Sequence, residues 1–288
     1  MPKLNICAFR ELSAEQRLSA KIAIVANPDP AELMALPNLQ WVQSLWAGVE
    51  RLLTEVPQSD LKIVRMNDPQ LAASMAEAVL AWSLYLHRDM PMYKKQQNAK
   101  IWKQHTTPLT AERTIGILGL GSLGLCAANR LSVNGFSVFG WSRSEVRLEG
   151  IKTFNGQAGL HALLSHTDIL VILLPLTKAT NRLLNEQTLA LLPCGASVIN
   201  FARGPILNET ALINHLDSGH LAHAVLDVFC EEPLSENNPL WTHPDVTVLP
   251  HISARTNKIT ASKIASDNIS SFLQTGEIPQ SVSRKHGY

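Results

Sequence analysis

The clearest pattern in the chain is a short apolar run that passes directly into glycines. Ile115-Gly116-Ile117-Leu118 has the continuous apolar character of a parallel strand covered on both faces. Gly119-Leu120-Gly121-Ser122-Leu123-Gly124 follows at once, and residues 125–134 place Leu125, Ala128 and Leu131 on one helical face. Beyond Gly135 a second run, residues 136–141, predicts another strand. Strand, glycine turn, helix and strand make the first half of a dinucleotide-binding unit. Gly119 permits the tight turn, Gly121 lets backbone approach a pyrophosphate, and Gly124 lets the helix sit close to the strand. Ser122 and Leu123 open the helix, whose start offers amides and a positive dipole end to phosphate.

The same alternation runs through the rest of the chain. Downstream, helices are predicted over 159–164, 185–191, 209–218 and 256–276. Strands are predicted over 168–174, 196–201, 223–228 and 247–249, the first closed by Pro175 and the last followed by Pro250-His251. Upstream, short strands at 4–9, 21–25, 39–44 and 61–64 with a helix at 31–36 predict a smaller parallel α/β domain. Residues 69–93 read as one long helix, apolar on more than one face, as for burial between domains or subunits. Residues 94–113 show little pattern. The fold class is therefore α/β, a Rossmann-type doubly wound parallel sheet plus a smaller α/β domain. The outer domain is expected over 1–80 and 265–288, and the dinucleotide-binding domain over 81–264.

The end of the second strand bears on which nucleotide is bound. An NAD-preferring unit usually carries an acidic residue about 20 positions on, where it accepts from the ribose 2′-hydroxyl. Here that place holds Ser142, followed by Arg143 and Ser144. With no carboxylate to repel a 2′-phosphate, an arginine fork to pair with it and two hydroxyls to donate, the residues favour NADP, with NAD as the alternative.

Composition narrows the classes. The 288 residues are 45% hydrophobic and 17% charged, with a formal net charge of +1, so nothing marks a nucleic-acid partner. Cys7, Cys126, Cys194 and Cys230 have neither paired nor metal-ligand spacing, which suggests a reduced, cytoplasmic protein with no metal site. The longest apolar run, residues 169–174, is too short to span a bilayer, and Arg10, Glu11 and Glu15 interrupt any signal-peptide pattern.

Three strand ends carry polar groups: Arg203 after Ala202, Asp227 with Glu231 and Glu232, and His251. In a doubly wound sheet these ends share the edge that faces the cofactor. Reduction of a carbonyl beside a carboxylate needs such a set. Histidine can deliver the proton near neutral pH, a carboxylate beside it fixes the ring, and an arginine fork holds the substrate carboxylate. The loop Trp46-Ala47-Gly48, at the end of another strand, is a candidate substrate contact.

With these motifs in place, the chain resembles the D-isomer-specific 2-hydroxyacid dehydrogenases, and within them the glyoxylate/hydroxypyruvate reductase A group. The resemblance rests on residues 119–124, 200–204, 226–234 and 239–253, with Trp141-Ser142-Arg143-Ser144, residues 45–49, Pro239-Leu240-Trp241 and the ending 284–288 for the narrower group. It implies a flavodoxin-like outer domain, a homodimer, and NADPH-dependent reduction of small 2-oxoacids such as glyoxylate and hydroxypyruvate. It also implies Arg203 on the substrate, His251 as proton donor, Glu232 as its partner, and Asp227 at the nicotinamide carboxamide. Pro175 and Ala202 join the implied cofactor contacts. The amides of Ala47 and Gly48 would hold the substrate carboxylate, with Trp46 shaping the pocket. Only 20 residues precede Lys21, so the family's first outer strand and helix are expected to be missing. Two other readings stay open: a dinucleotide-sensing module that binds a protein partner, and a dehydrogenase for a bulkier oxoacid.

Overall fold

The computed structural model describes residues 5–56, 60–284 and 287. The chain divides into two compact units, residues 1–70 with 256–288 and residues 71–255. These cuts fall ten and nine residues before the boundaries expected from the sequence.

In the smaller unit the elements along the chain are α1 (Ala14–Ser19), β1 (Ile22–Val25), α2 (Pro30–Met34), β2 (Trp41–Ser44), α3 (Glu50–Glu55) and β3 (Lys62–Val64). The three strands are parallel in the order β1-β2-β3. The strand expected over 4–9 is a correction. Leu4 lies outside the described residues, residues 5–8 form no strand, and Phe9–Glu11 is a single 3-10 turn. Ile6, which would lie on the buried face of such a strand, is exposed, and Phe9 instead lies under the Arg17 guanidinium, 4.8 Å from its ring centre. Arg17 belongs to α1, which Ser13 and Gln16 cap reciprocally.

The helix expected over 69–93 is two helices, α4 (Pro69–His87) and α5 (Met90–Ala99). Pro91 explains the break. Its ring would collide with the carbonyl four residues back and it has no N–H to donate, so the chain turns at Asp89, whose φ is 54°. From Leu71 onward α4 belongs to the larger unit, where Met75, Ala76, Val79 and Leu86 join the core. This burial places the first cut before residue 80.

The larger unit continues with β4 (Thr114–Leu118), α6 (Ser122–Val133), β5 (Ser137–Ser142), β6 (Lys152–Asn155), α7 (Gly156–Leu164), β7 (Ile169–Ile172), α8 (Glu186–Leu189), β8 (Ala196–Asn200), α9 (Glu209–Asp217), β9 (Leu221–Leu226) and β10 (Val246–Val248). Among the described residues the strands form one parallel sheet in the order β10-β9-β8-β7-β4-β5-β6. One apolar layer packs Leu160, Leu163 and Leu212 on the sheet, and the other packs Ala128 and Leu131 with the α4 residues. From β4 the chain first builds outward to β6 and then returns to β7. The C-terminal ends of β4 and β7 therefore flank the switch point where such sheets bind ligands.

The last helix, α10 (Lys258–Thr275), belongs to the smaller unit. Phe272 packs edge-on against Trp41 at 5.7 Å, and Asn268 donates to the buried Gln43 side chain at 2.7 Å. Arg284 donates to the carbonyls of Val56 and Leu61, while Lys285, His286 and Tyr288 of the expected terminal signature lie outside the described residues. Among the described residues no helix is long and apolar enough to cross a membrane, and no cluster of three or more His, Cys, Asp or Glu is placed to hold a metal ion.

Candidate active site

The glycine turn joins β4 to α6. Gly119 has a φ of 104°, and its N–H donates to Trp141 O at 2.9 Å, tying the turn to β5. A Cβ on Gly124 would lie 1.8 Å from Gly119 O, so the start of α6 is seated directly on the turn. Gly121 differs from both. Among the described residues, nothing lies within 4 Å of a Cβ placed there. Gly121 caps α6, and no described side chain caps the amides that begin at Ser122 and Leu123. A helix start with uncapped amides, beside backbone left open by the missing side chain, fits a pyrophosphate. At the end of β5, Ser142 Oγ donates to Ser144 O at 2.6 Å, and Arg143 is exposed between them. After β7, Pro175 O accepts from Thr180 Oγ1 at 2.7 Å.

The second group lies at the ends of β8, β9 and β10, which are neighbours in the sheet. Asn200, the last residue of β8, accepts from the Ala202 amide at 3.1 Å and donates to Arg203 O at 3.2 Å, shaping the turn that presents Arg203. Nη1 of Arg203 donates to Ala202 O at 2.6 Å. Gly204 is packed against the next strand end. Its Cβ would fall 2.0 Å from Phe229 C and 2.3 Å from Cys230 N.

Asp227 directly follows β9 and is buried, 2% exposed. Its carboxylate accepts from the amides of Ile252 at 2.7 Å and Ser253 at 2.9 Å. These bonds hold the loop in which His251 takes a φ of 53°. His251 Nδ1 meets Glu232 Oε2 at 2.7 Å, and Oε1 of that carboxylate accepts from the Phe229 amide at 3.0 Å. The partner of His251 is thus Glu232 rather than Glu231. With Nδ1 committed to a carboxylate, Nε2 is the ring nitrogen left to exchange a proton with a ligand. Cys230, two residues before Glu232, is held as the neutral thiol. Burial first, then the charge and hydrogen bond of Glu209, push its thiol up to about 11.

In the smaller unit, Trp46-Ala47-Gly48 follows β2. Ser44 Oγ accepts from the Trp46 amide at 3.0 Å and donates to Trp46 O at 3.1 Å, which also receives the Met66 amide at 3.0 Å. The backbone is fixed while the indole is exposed. The sequence places Asn200 in the 200–204 motif without giving it a role, and it carries no signal for the strap from Asp227 to residues 252 and 253.

A sequence model of the D-isomer specific 2-hydroxyacid dehydrogenase NAD binding domain matches residues 80–253. Glyoxylate/hydroxypyruvate reductase A of Salmonella paratyphi B is 35% identical over 285 residues, 97% of this chain and 91% of that protein. The enzyme of that name from Yersinia enterocolitica is also 35% identical, over 96% of this chain and 88% of its own. A D-isomer specific 2-hydroxyacid dehydrogenase from Xanthobacter autotrophicus, solved with NADPH and MES, superposes with a TM-score of 0.89 at 39% identity, covering 96% of this chain and 87% of that one. NADPH-dependent glyoxylate/hydroxypyruvate reductase SmGhrA of Sinorhizobium meliloti, solved with NADP and sulfate, gives 0.88 at 35%, covering 95% and 88%. The match spans the glycine turn and all three polar strand ends, and on it the chain belongs to the D-isomer specific 2-hydroxyacid dehydrogenase family.

Proposed function

We propose that the chain reduces small 2-oxoacids, glyoxylate and hydroxypyruvate first, with NADPH. The observation that carries this reading is the 2.7 Å pair of His251 and Glu232 one strand away from the Arg203 turn. The glycine turn suits the cofactor's pyrophosphate, and Ser142, Arg143 and Ser144 suit a 2′-phosphate. The structures of relatives solved with NADPH or NADP support the same choice. Bound NADPH would supply the hydride that reaches C2 of the oxoacid.

The chain's own residues do the rest. Arg203 forks onto the substrate carboxylate and draws electron density towards the carbonyl oxygen. His251 donates the Nε2 proton to that oxygen as the C2 hydroxyl forms. Glu232 holds the ring through Nδ1, keeping Nε2 towards the substrate and stabilising the imidazolium before transfer. Asp227 is assigned to the carboxamide of the cofactor; a carboxylate has about four acceptor sites, so two bonds to backbone leave room for another donor. Pro175 and Ala202 are assigned to the cofactor, and Trp46, Ala47 and Gly48 to the substrate. A cytoplasmic homodimer completes the proposal.

The test is the loss of NADPH absorbance on adding either oxoacid. His251→Asn should lower turnover roughly a hundred- to ten-thousandfold. Arg203→Ala should abolish turnover while leaving NADPH affinity largely intact. Near-normal turnover in the Arg203 variant overturns the assignment. Tight NADPH binding without turnover in the wild type points to a sensing module instead.

A further inference from the structure

Three separate contacts meet on two adjacent peptide units at Phe229, two on Phe229–Cys230 and one on the amide just before it. Gly204, next to Arg203, is packed so closely on Phe229–Cys230 that a Cβ would overlap its C, O and N atoms at 2.0 to 2.3 Å. The Phe229 amide donates to Glu232 Oε1 at 3.0 Å, on the carboxylate that binds His251. The Cys230 amide donates to Glu209 Oε1 at 3.2 Å. The first two contacts lead to the residues of the proposed chemistry, and the third leads away to the first turn of α9.

We infer that Glu209 is a positioning residue for the reduction, fixing the Phe229–Cys230 peptide, on which the Arg203 turn is seated, and through it Phe229, whose own amide holds the Glu232–His251 pair. This rests on the proposed function above. A simpler role for Glu209 would be to cap α9. That role is already filled, because Asn208 is the cap and its side chain accepts from the Ala211 amide at 3.0 Å. The Glu209 carboxylate instead reaches 21 positions along the sequence to the Cys230 amide. Without that acceptor the peptide can rotate its N–H towards solvent, which moves Gly204 directly and, across the Phe229 Cα, the amide that holds the Glu232 carboxylate. Displacements of about 1 Å at reacting groups can cost about a hundredfold in rate.

The test compares Glu209→Ala with Glu209→Gln, which keeps an oxygen for the Cys230 N–H. Steady-state reduction of glyoxylate with NADPH should show kcat lowered by about tenfold or more in the alanine variant, with NADPH affinity within about twofold of wild type. The glutamine variant should recover most of the loss. Independently of turnover, the Cys230 amide should exchange its hydrogen with solvent faster in Glu209→Ala than in either wild type or Glu209→Gln. Should the alanine variant not fold, Glu209→Asp, one methylene too short to reach, should give the same split. Wild-type kcat and exchange in the alanine variant overturn the inference, as does a glutamine variant as impaired as alanine. A wild type inactive on both oxoacids overturns the functional reading, and Cys230 exchange unchanged in Glu209→Ala overturns the seat itself.

Discussion

Asp227 and Ile252 are joined across neighbouring strand ends by a 2.7 Å hydrogen bond from the Ile252 amide, and the Ser253 amide donates to the other oxygen of the same carboxylate at 2.9 Å. The chain thereby holds the loop that carries His251 from outside the loop. In Asp227→Asn one oxygen would remain and an NH2 would face the second amide, donor against donor. An unpaired buried donor costs about 1–3 kcal/mol. The variant should melt several degrees lower and lose kcat together with stability. Thermal melting and steady-state rates check this, and an unchanged melting point would show that the strap carries no load.

Gly121 and Gly124, three positions apart, should fail in opposite ways. An alanine at Gly124 would put its Cβ 1.8 Å from Gly119 O, so Gly124→Ala should destabilise the larger unit by about 1–3 kcal/mol or more. At Gly121 a Cβ meets nothing among the described residues. Gly121→Ala should keep the wild-type melting point within about 0.5 kcal/mol of stability yet bind NADPH roughly tenfold more weakly, because the methyl occupies the place of phosphate. Melting curves and NADPH fluorescence titrations separate the two. Full NADPH affinity in Gly121→Ala would remove the pyrophosphate from this turn.

These glycines also show what was legible in the sequence. Gly119 with its positive φ and Gly124 with its close approach are positions where backbone geometry leaves one residue type, so the motif and the structure carry the same information. The central strands of the larger unit were readable because both their faces are covered, as the fully buried Ile169–Ile172 and Ala196–Asn200 show. β6 was not readable. Lys152–Asn155 is an edge strand with one large apolar residue, so it lacks both a run and an alternation. α3, six residues long and without a side-chain cap, gave no start signal. The bonds from Asp227 to residues 252 and 253, and from Glu209 to Cys230, join positions more than 20 apart in the chain, and only the sheet order brings them together.

Arg143 should decide between the two nicotinamide cofactors. It follows Ser142 where a carboxylate would favour NAD, and it is exposed to a ligand at the end of β5. A hydrogen bond to a charged group contributes about 1.5–3 kcal/mol, so Arg143→Ala should weaken NADPH binding roughly ten- to hundredfold and leave NADH binding nearly unchanged. Titration of both cofactors against both proteins reads this directly. An equal loss for NADH would mean that Arg143 shapes the turn and does not read the 2′-phosphate.

His223 should make the fold acid-sensitive. Its ring is buried on β9, with Nε2 2.9 Å from Thr247 Oγ1. Burial pushes its ionisation down from 6.5 to about 4. The charge of Asp245, itself paired with Lys95, opposes the shift, and Lys95 and His243 add to it. The folded value lies below the unfolded one, so between these pH values the unfolded chain binds more protons. The stabilisation is complete above about pH 6.5, falls as the pH drops towards about 4, and levels off below that. A shift of this size corresponds to about 3 kcal/mol in full. Denaturant unfolding of wild type and His223→Gln at a series of pH values isolates this contribution, because the carboxylates titrate in both proteins. The stability difference between them should shift in favour of the glutamine variant by about that amount as the pH falls from 7 to 4. A difference that stays constant across the series would mean that His223 takes up its proton without leaving the folded state.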